Sequence, residues 1–162
     1  MRKQRADNNR KWAIRNAKLR MSRKLIFAAG LAHVFSCHLD PEAETARLRL
    51  VQDRDTSLLT AYLAEQLAAP PLETIAKLCL ARGGRKKTAL AIFENYDRFL
   101  ALLDDSAKRS QLEQGQSHDA LRGSAAWSEV RELSRPFHEA LVHLFLRDNA
   151  ELAELTMRYG IF

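Results

Sequence analysis

The chain has 162 residues and a formal net charge of +6, enough for one ordinary domain that needs no disulfide framework or metal to fold. Its 25 Leu and 24 Ala, against nine Val and Ile, favour helix over strand, because β-branched residues suit strands while Ala and Leu lose little freedom in a helix. The 6 Gly and 4 Pro exclude collagen-like and low-complexity chains.

The first predicted helix begins near Asn8 or Asn9, which are suitable N-caps, and runs to about Cys37. Apolar residues recur along it every three or four positions, as they do on one face of a helix. This stripe consists of Ile14, Ala17, Met21, Leu25, Ala28, Ala32 and Phe35. Beyond Leu25 the helix carries no Lys, Arg, Asp or Glu, so we expect its second half to be buried and its first half to expose a basic side.

Basic residues are concentrated at the start of the chain. Residues 1–24 contain ten Lys or Arg and one acid, whereas the rest of the chain contains 16 basic and 19 acidic residues. The sequence therefore predicts a basic N-terminal arm over 1–24, followed by a single helical domain over 25–162. Such an asymmetry favours a polyanionic partner.

Further helices follow, each bounded by Pro, Gly, Asp or Asn signals. They are predicted over about 41–53, 56–69, 72–81, 86–103, 107–114, 124–133, 136–146 and 149–159. We expect Pro136 to break or kink the chain between two of them. The fold is therefore predicted to be all-α, a compact bundle of about six to eight helices with a long basic N-terminal helix.

The run Arg82-Gly83-Gly84-Arg85-Lys86-Lys87 is the sharpest predicted loop. Backbone N–H groups at the start of a helix and nearby cations can bind phosphate, so Arg85, Lys86 and Lys87 are candidates for a second anion contact. The Walker pattern is absent. An ordinary helix C-cap followed by solvated cations is the alternative.

Side chains capable of catalysis or metal binding do not form a recognisable pattern. His138 and His143 are five residues apart and diverge on a helix, and His33 with Cys37 lacks a second pair with metal-ligand spacing. Cys37 and Cys79 lie in apolar surroundings typical of buried thiols. We therefore predict no catalytic residue, no metal and no cofactor. Two cysteines without a disulfide framework indicate a reducing cytoplasm.

The basic arm carries the strongest functional signal, and it favours a non-enzymatic protein that binds DNA or RNA through the phosphate backbone. The predicted contacts are Lys3, Arg5, Arg10, Lys11, Arg15, Lys18, Arg20, Arg23, Lys24, Arg85, Lys86 and Lys87. The alternative is a helical accessory or regulatory subunit that binds a larger protein. Its predicted contacts are Leu25, Phe27, Leu31 and Phe35, or the C-terminal Tyr159, Ile161 and Phe162. A membrane surface and a merely solvated face are less favoured.

Overall fold

The computed structural model of this chain describes residues 11–82, 85–117 and 121–160. Over these ranges the chain forms eight α-helical elements and no strand, so the predicted all-α bundle is confirmed. Helix α1 has three consecutive segments, which are Trp12–Lys18, Leu19–Arg23 and Lys24–Leu39. The others are α2 (Pro41–Asp53), α3 (Ser57–Ala68), α4 (Pro71–Ala81), α5 (Lys86–Asp104), α6 (Ser106–Gln114), α7 (Ala125–Leu146) and α8 (Ala150–Tyr159).

Helix α1 buries its predicted apolar stripe, although its middle segment, Leu19–Arg23, is π-helical. All seven stripe residues are at most 6% exposed. Around Met21 the stripe advances by four residues twice in succession, and in an α-helix each such step overshoots a full turn by about 40°. A π-helical turn contains more residues than an α-helical turn. It therefore compensates for this excess rotation and keeps the stripe on one face.

The start of α1 differs from the prediction. The helix begins at Trp12, not near Asn8 or Asn9, which lie outside the described residues. Lys11 precedes it with a φ of 68°, in the left-handed region that a non-glycine residue rarely adopts, and its N–H donates to the carbonyl of Glu113 at 3.2 Å. Lys11 provides no side-chain cap for this helix, and its own N–H is satisfied by a tertiary hydrogen bond.

Gly115 makes the second backbone contact at this end of α1. Its carbonyl accepts a hydrogen bond of 3.1 Å from the N–H of Ala13. A Cβ atom at Gly115 would lie 2.8 Å from the Ala13 Cβ and 2.7 Å from the Leu121 Cδ2. Glycine is therefore required here by close approach of the backbone.

Two predicted helix starts are confirmed by their caps. The Asp40 carboxylate accepts a hydrogen bond of 3.1 Å from the N–H of Glu42 at the start of α2. The Asn149 side-chain oxygen accepts one of 3.0 Å from the N–H of Leu152 in α8. Each cap satisfies a backbone donor that has no partner within its helix.

Pro136 neither ends a helix nor starts one. Helix α7 continues through it over its full length, so the two predicted helices are one. Proline removes one backbone hydrogen bond within a helix, but Leu133 and Phe137 on either side of it are buried to 1% and 0% exposure. Burial of these side chains offsets the missing hydrogen bond. The proline in the sequence could not by itself reveal this burial.

Contacts divide the chain into two compact units. Unit 1 contains the described residues of Met1–Lys24 and Leu90–Leu141, and unit 2 those of Leu25–Ala89 and Val142–Phe162. The single domain predicted over 25–162 stays a prediction.

Aromatic pairs contribute to the packing of each unit. In unit 1 the ring centroid of Tyr96 lies 6.0 Å from that of Phe99 and 5.9 Å from that of Phe137, and the first segment of α1 packs on α6. In unit 2 the rings of Phe35 and Phe145 lie 6.3 Å apart, nearly edge to face, and α2 packs on α3.

Candidate anion-binding cleft

The predicted cations of the arm lie along α1 in unit 1. Residues 11–24 contain six Lys or Arg and no acid. Five of these cations are exposed and Lys24 is half-buried. They are Lys11, Arg15, Lys18, Arg20, Arg23 and Lys24. The predicted contacts Lys3, Arg5 and Arg10 lie outside the described residues.

Two of these cations line a cleft of about 740 Å³ together with side chains of α7. Arg20 and Lys24 come from α1. The other lining residues are Ser128, Arg131, Glu132, Ser134, Arg135 and His138. Most of them recur every three or four residues, which places them along one face of α7. We call this feature the cationic cleft, because four Lys or Arg side chains and a single carboxylate line it.

Arg20 lies at one wall of the cationic cleft, over an aromatic ring. Its guanidinium carbon is 5.8 Å from the centroid of the Trp127 ring, a cation–π geometry. The Trp127 ring lies 5.7 Å from that of Trp12 and is only 4% exposed. The contact holds Arg20 in place, and it leaves Trp127 without a free face on which a ligand could stack.

Lys24 and His138 meet in the same cleft. The Lys24 Nζ lies 3.1 Å from the His138 Nδ1. An ammonium group can only donate, so Nδ1 accepts and the ring proton of neutral His138 is on Nε2. Partial burial, and then the charge of Arg20, lowers the pKa of Lys24.

The pKa of His138 is also lowered, first by partial burial and then by the charge of Lys24. Glu139 opposes this shift. Burial is the larger cause of both shifts, and the like charges of Arg20 and Lys24 add to it, because like charges at close range disfavour the protonated form. An anion bound there would relieve this repulsion.

The acidic side chains near the cleft already have partners. The Glu132 carboxylate accepts a hydrogen bond of 3.2 Å from the Ser128 Oγ. Glu139 forms an exposed ion pair with Arg135 at 3.0 Å, and a pair of this kind, four residues apart, contributes only about 0.3–0.5 kcal/mol. Arg135 can therefore exchange Glu139 for an incoming anion at little cost.

The second predicted anion contact, at the start of α5 in unit 2, is occupied by a side chain of the protein. The Asp148 carboxylate accepts a hydrogen bond of 3.3 Å from the Arg85 N–H and lies 3.7 Å from its guanidinium. The Asp148 side chain is 1% exposed, so its carboxylate stands where a phosphate would bind. Lys86 and Lys87 are exposed.

Among the residues predicted to bind a protein partner, the described ones divide into two groups. Leu25 and Phe35 are 3% and 0% exposed, because they belong to the buried stripe of α1, and a partner cannot reach them. Phe27 is 46% exposed, Leu31 is half-buried, and Tyr159 stacks on His38 with ring centroids 5.8 Å apart. Ile161 and Phe162 lie outside the described residues.

The cysteines are poor nucleophiles. Burial raises the pKa of Cys37, and burial, followed by the charge of Asp148, raises that of Cys79 to about 11. A thiol reacts as its thiolate, so neither environment activates its cysteine as a nucleophile. In the described part of the chain no group of three or more His, Cys, Asp or Glu side chains is arranged to hold a metal ion.

Sequence reasoning missed the α7 half of the cationic cleft. Arg131 and Arg135 are one helical turn apart on the same face, with Ser128 and His138 on adjacent turns. The spacing of these residues therefore indicated the polar face of an amphipathic helix. Nothing in the sequence showed that this face meets Arg20 and Lys24.

Comparisons with known protein families, with curated proteins and with solved structures find no match for this chain. Among the helices of the described ranges, none is long and apolar enough to cross a membrane.

Proposed function

We propose that this protein binds nucleic acid, with the basic face of α1 on the phosphate backbone and the cationic cleft as its centre. The observation that carries the proposal is that Arg20 and Lys24 line the same cleft as Arg131 and Arg135 of α7. Converging cations attract phosphate, and counterions released on binding supply much of the affinity. The two free thiols, Cys37 and Cys79, fit a cytoplasmic setting.

Binding of this kind depends on charge more than on base sequence. Contacts from Lys and Arg to phosphate fix position but carry no sequence information. The Trp127 ring beside the cleft is buried beneath Arg20, so no base can stack on it. We therefore expect similar affinity for nucleic acids of different sequence.

Fluorescence anisotropy with a labelled oligonucleotide tests the proposal. The triple variant Lys18→Gln/Arg20→Gln/Arg23→Gln removes three cations of α1. We expect it to weaken binding and to reduce the slope of log K against log salt by about 2–3, since each phosphate contact contributes about 0.7–0.9.

The matched control removes three exposed cations located elsewhere, with Arg49→Gln/Lys77→Gln/Arg98→Gln. It makes the same change in net charge, and we expect affinity within about twofold of the wild type, since the overall field acts more weakly than contacts. Equal losses in the two variants, or binding that does not respond to salt, would contradict a local phosphate site.

A second candidate function, an accessory subunit of a larger protein, is favoured by a different surface. On α1 the side chains of Ile26 and Val34 are 58% and 56% exposed. They lie on one face of the helix with Gly30 between them. Exposed apolar side chains that share one face of a helix can form part of an interaction surface.

Nuclease-treated pull-down separates the two functions. A stoichiometric protein partner should survive nuclease and be lost in Ile26→Asn/Val34→Asn. It should persist in the control Leu80→Asn, since Leu80 is a separate, 85% exposed apolar residue. Recovery that disappears with nuclease would count against this second function.

A further inference from the structure

We infer that the cationic cleft binds a phosphomonoester, such as the terminal phosphate of a nucleic-acid strand. The inference rests on the proposed function and specifies which part of the nucleic acid the cleft holds. The rest of the α1 surface, including the exposed Lys18 and Arg23 that do not line the cleft, would then contact the backbone that follows.

The number of charges favours a terminal group. Four Lys or Arg side chains line the cleft with one carboxylate, Glu132. A phosphodiester carries a single negative charge. A phosphomonoester carries about −1.5 to −2 near neutral pH and presents three strong acceptor oxygens. The monoester therefore matches the excess of cations better and accepts more charge-assisted hydrogen bonds.

The shape of the site favours the same group. A backbone passing along a helix meets a convex surface, whereas Arg20 and Lys24 of α1 and Arg131 and Arg135 of α7 surround a concave space. Donors on two helices can contact a group that ends in the cleft from several directions. His138 adds a neutral donor, because its Nδ1 accepts from Lys24 and the proton of the neutral ring is then on Nε2.

The cleft does not provide for recognition of the base. Its volume of about 740 Å³ exceeds the size of one phosphate group and leaves room for the attached nucleoside. The Trp127 ring is 4% exposed and covered by Arg20, so the terminal base gains no stacking on this ring. The phosphate should therefore supply the selectivity, with little preference among terminal bases.

Anisotropy with two oligonucleotides of one sequence, one ending in a 5′-phosphate and the other in a 5′-hydroxyl, tests this inference. We expect wild-type protein to bind the phosphorylated strand at least about tenfold more tightly, the effect of one or two charge-assisted hydrogen bonds. In Arg131→Gln/Arg135→Gln the two affinities should become equal. Both side chains are exposed, so the variant should fold, and circular dichroism checks this.

The control Lys18→Gln/Arg23→Gln should weaken both complexes alike and preserve their ratio. A wild-type ratio near one, with binding retained, would overturn the inference and leave the proposed function standing. Absence of binding to either strand would overturn both. Adenosine 5′-monophosphate serves as competitor, and displacement at concentrations equal to the strand would assign the site to free nucleotides and reject the strand end.

Discussion

The Lys24 Nζ donates a hydrogen bond to the His138 Nδ1 across 3.1 Å, and this contact requires His138 to be neutral. It joins the basic helix α1 to α7 inside the cationic cleft. It also makes the cleft sensitive to pH, since protonation of His138 would place two cations face to face.

Acidification should therefore destabilise the protein. The pKa of His138 lies below its ordinary value of 6.5 in the folded state, and that of buried His33 is lowered by burial. Unfolding releases both groups to take up protons, so their contribution to stability is present above about pH 6.5 and is lost as the pH falls through the folded pKa values.

Thermal melts from about pH 7.5 to 5.5 measure this effect. We expect the melting temperature to fall with pH, and His138→Gln and His33→Gln each to reduce the dependence. An unchanged dependence in the double variant would show that other groups cause it. A saturating oligonucleotide should weaken the effect, because a bound phosphate favours protonated His138.

Gly115→Ala should destabilise the protein by about 1–3 kcal/mol, the usual effect of overpacking. The new Cβ would lie 2.7 Å from Leu121 and 2.8 Å from Ala13, so the junction between α1 and α6 would have to shift. The matched control is Gly30→Ala, where a Cβ meets nothing within 4 Å. In this helical position the control should stabilise by about 0.5–1 kcal/mol, and chemical denaturation measures both changes.

Pro136→Ala should stabilise the protein by about 1–2 kcal/mol, because α7 is continuous and alanine restores a backbone donor within it. Urea denaturation at neutral pH gives the change. A loss of stability would show that the proline sets a bend on which the burial of Leu133 and Phe137 depends.

Asp148→Ala should have two effects in unit 2. It removes the acceptor for the Arg85 N–H at the start of α5, which should cost about 1–2 kcal/mol. It should also lower the pKa of Cys79 from about 11, but only in part, because burial is the larger cause. Thiol titration with an absorbing disulfide reagent measures the second effect, and Cys37→Ser in both backgrounds isolates Cys79. A pKa of Cys79 that does not move would rule out the charge of Asp148 as a cause.

The sequence by itself determined the helical class and the placement of charge. The stripe from Ile14 to Phe35 repeats at helical spacing. Burying it removes apolar surface from water, and the free energy gained does not depend on which residues it packs against. The caps at Asp40 and Asn149 act within a few residues of themselves. Such features depend on local geometry, so the residues alone specify them.

Only the tertiary structure decided which charges meet. Arg131 and Arg135 are distant in sequence from Arg20 and Lys24, and packing within unit 1 brings all four to one cleft. The same dependence on packing explains why the helix starts at Trp12 and why α7 passes through Pro136, since each local signal is outweighed by contacts with residues remote in the chain.

The predicted anion contact at Arg85 shows most clearly what local sequence signals cannot predict. A loop rich in glycine and cations before a helix is a fair signal for anion binding, but Asp148, 63 residues further on, folds back onto that helix start. A carboxylate in the protein and a phosphate in solution satisfy the same backbone donor. Which of them does so is a matter of three-dimensional proximity, and periodicity and spacing do not encode it.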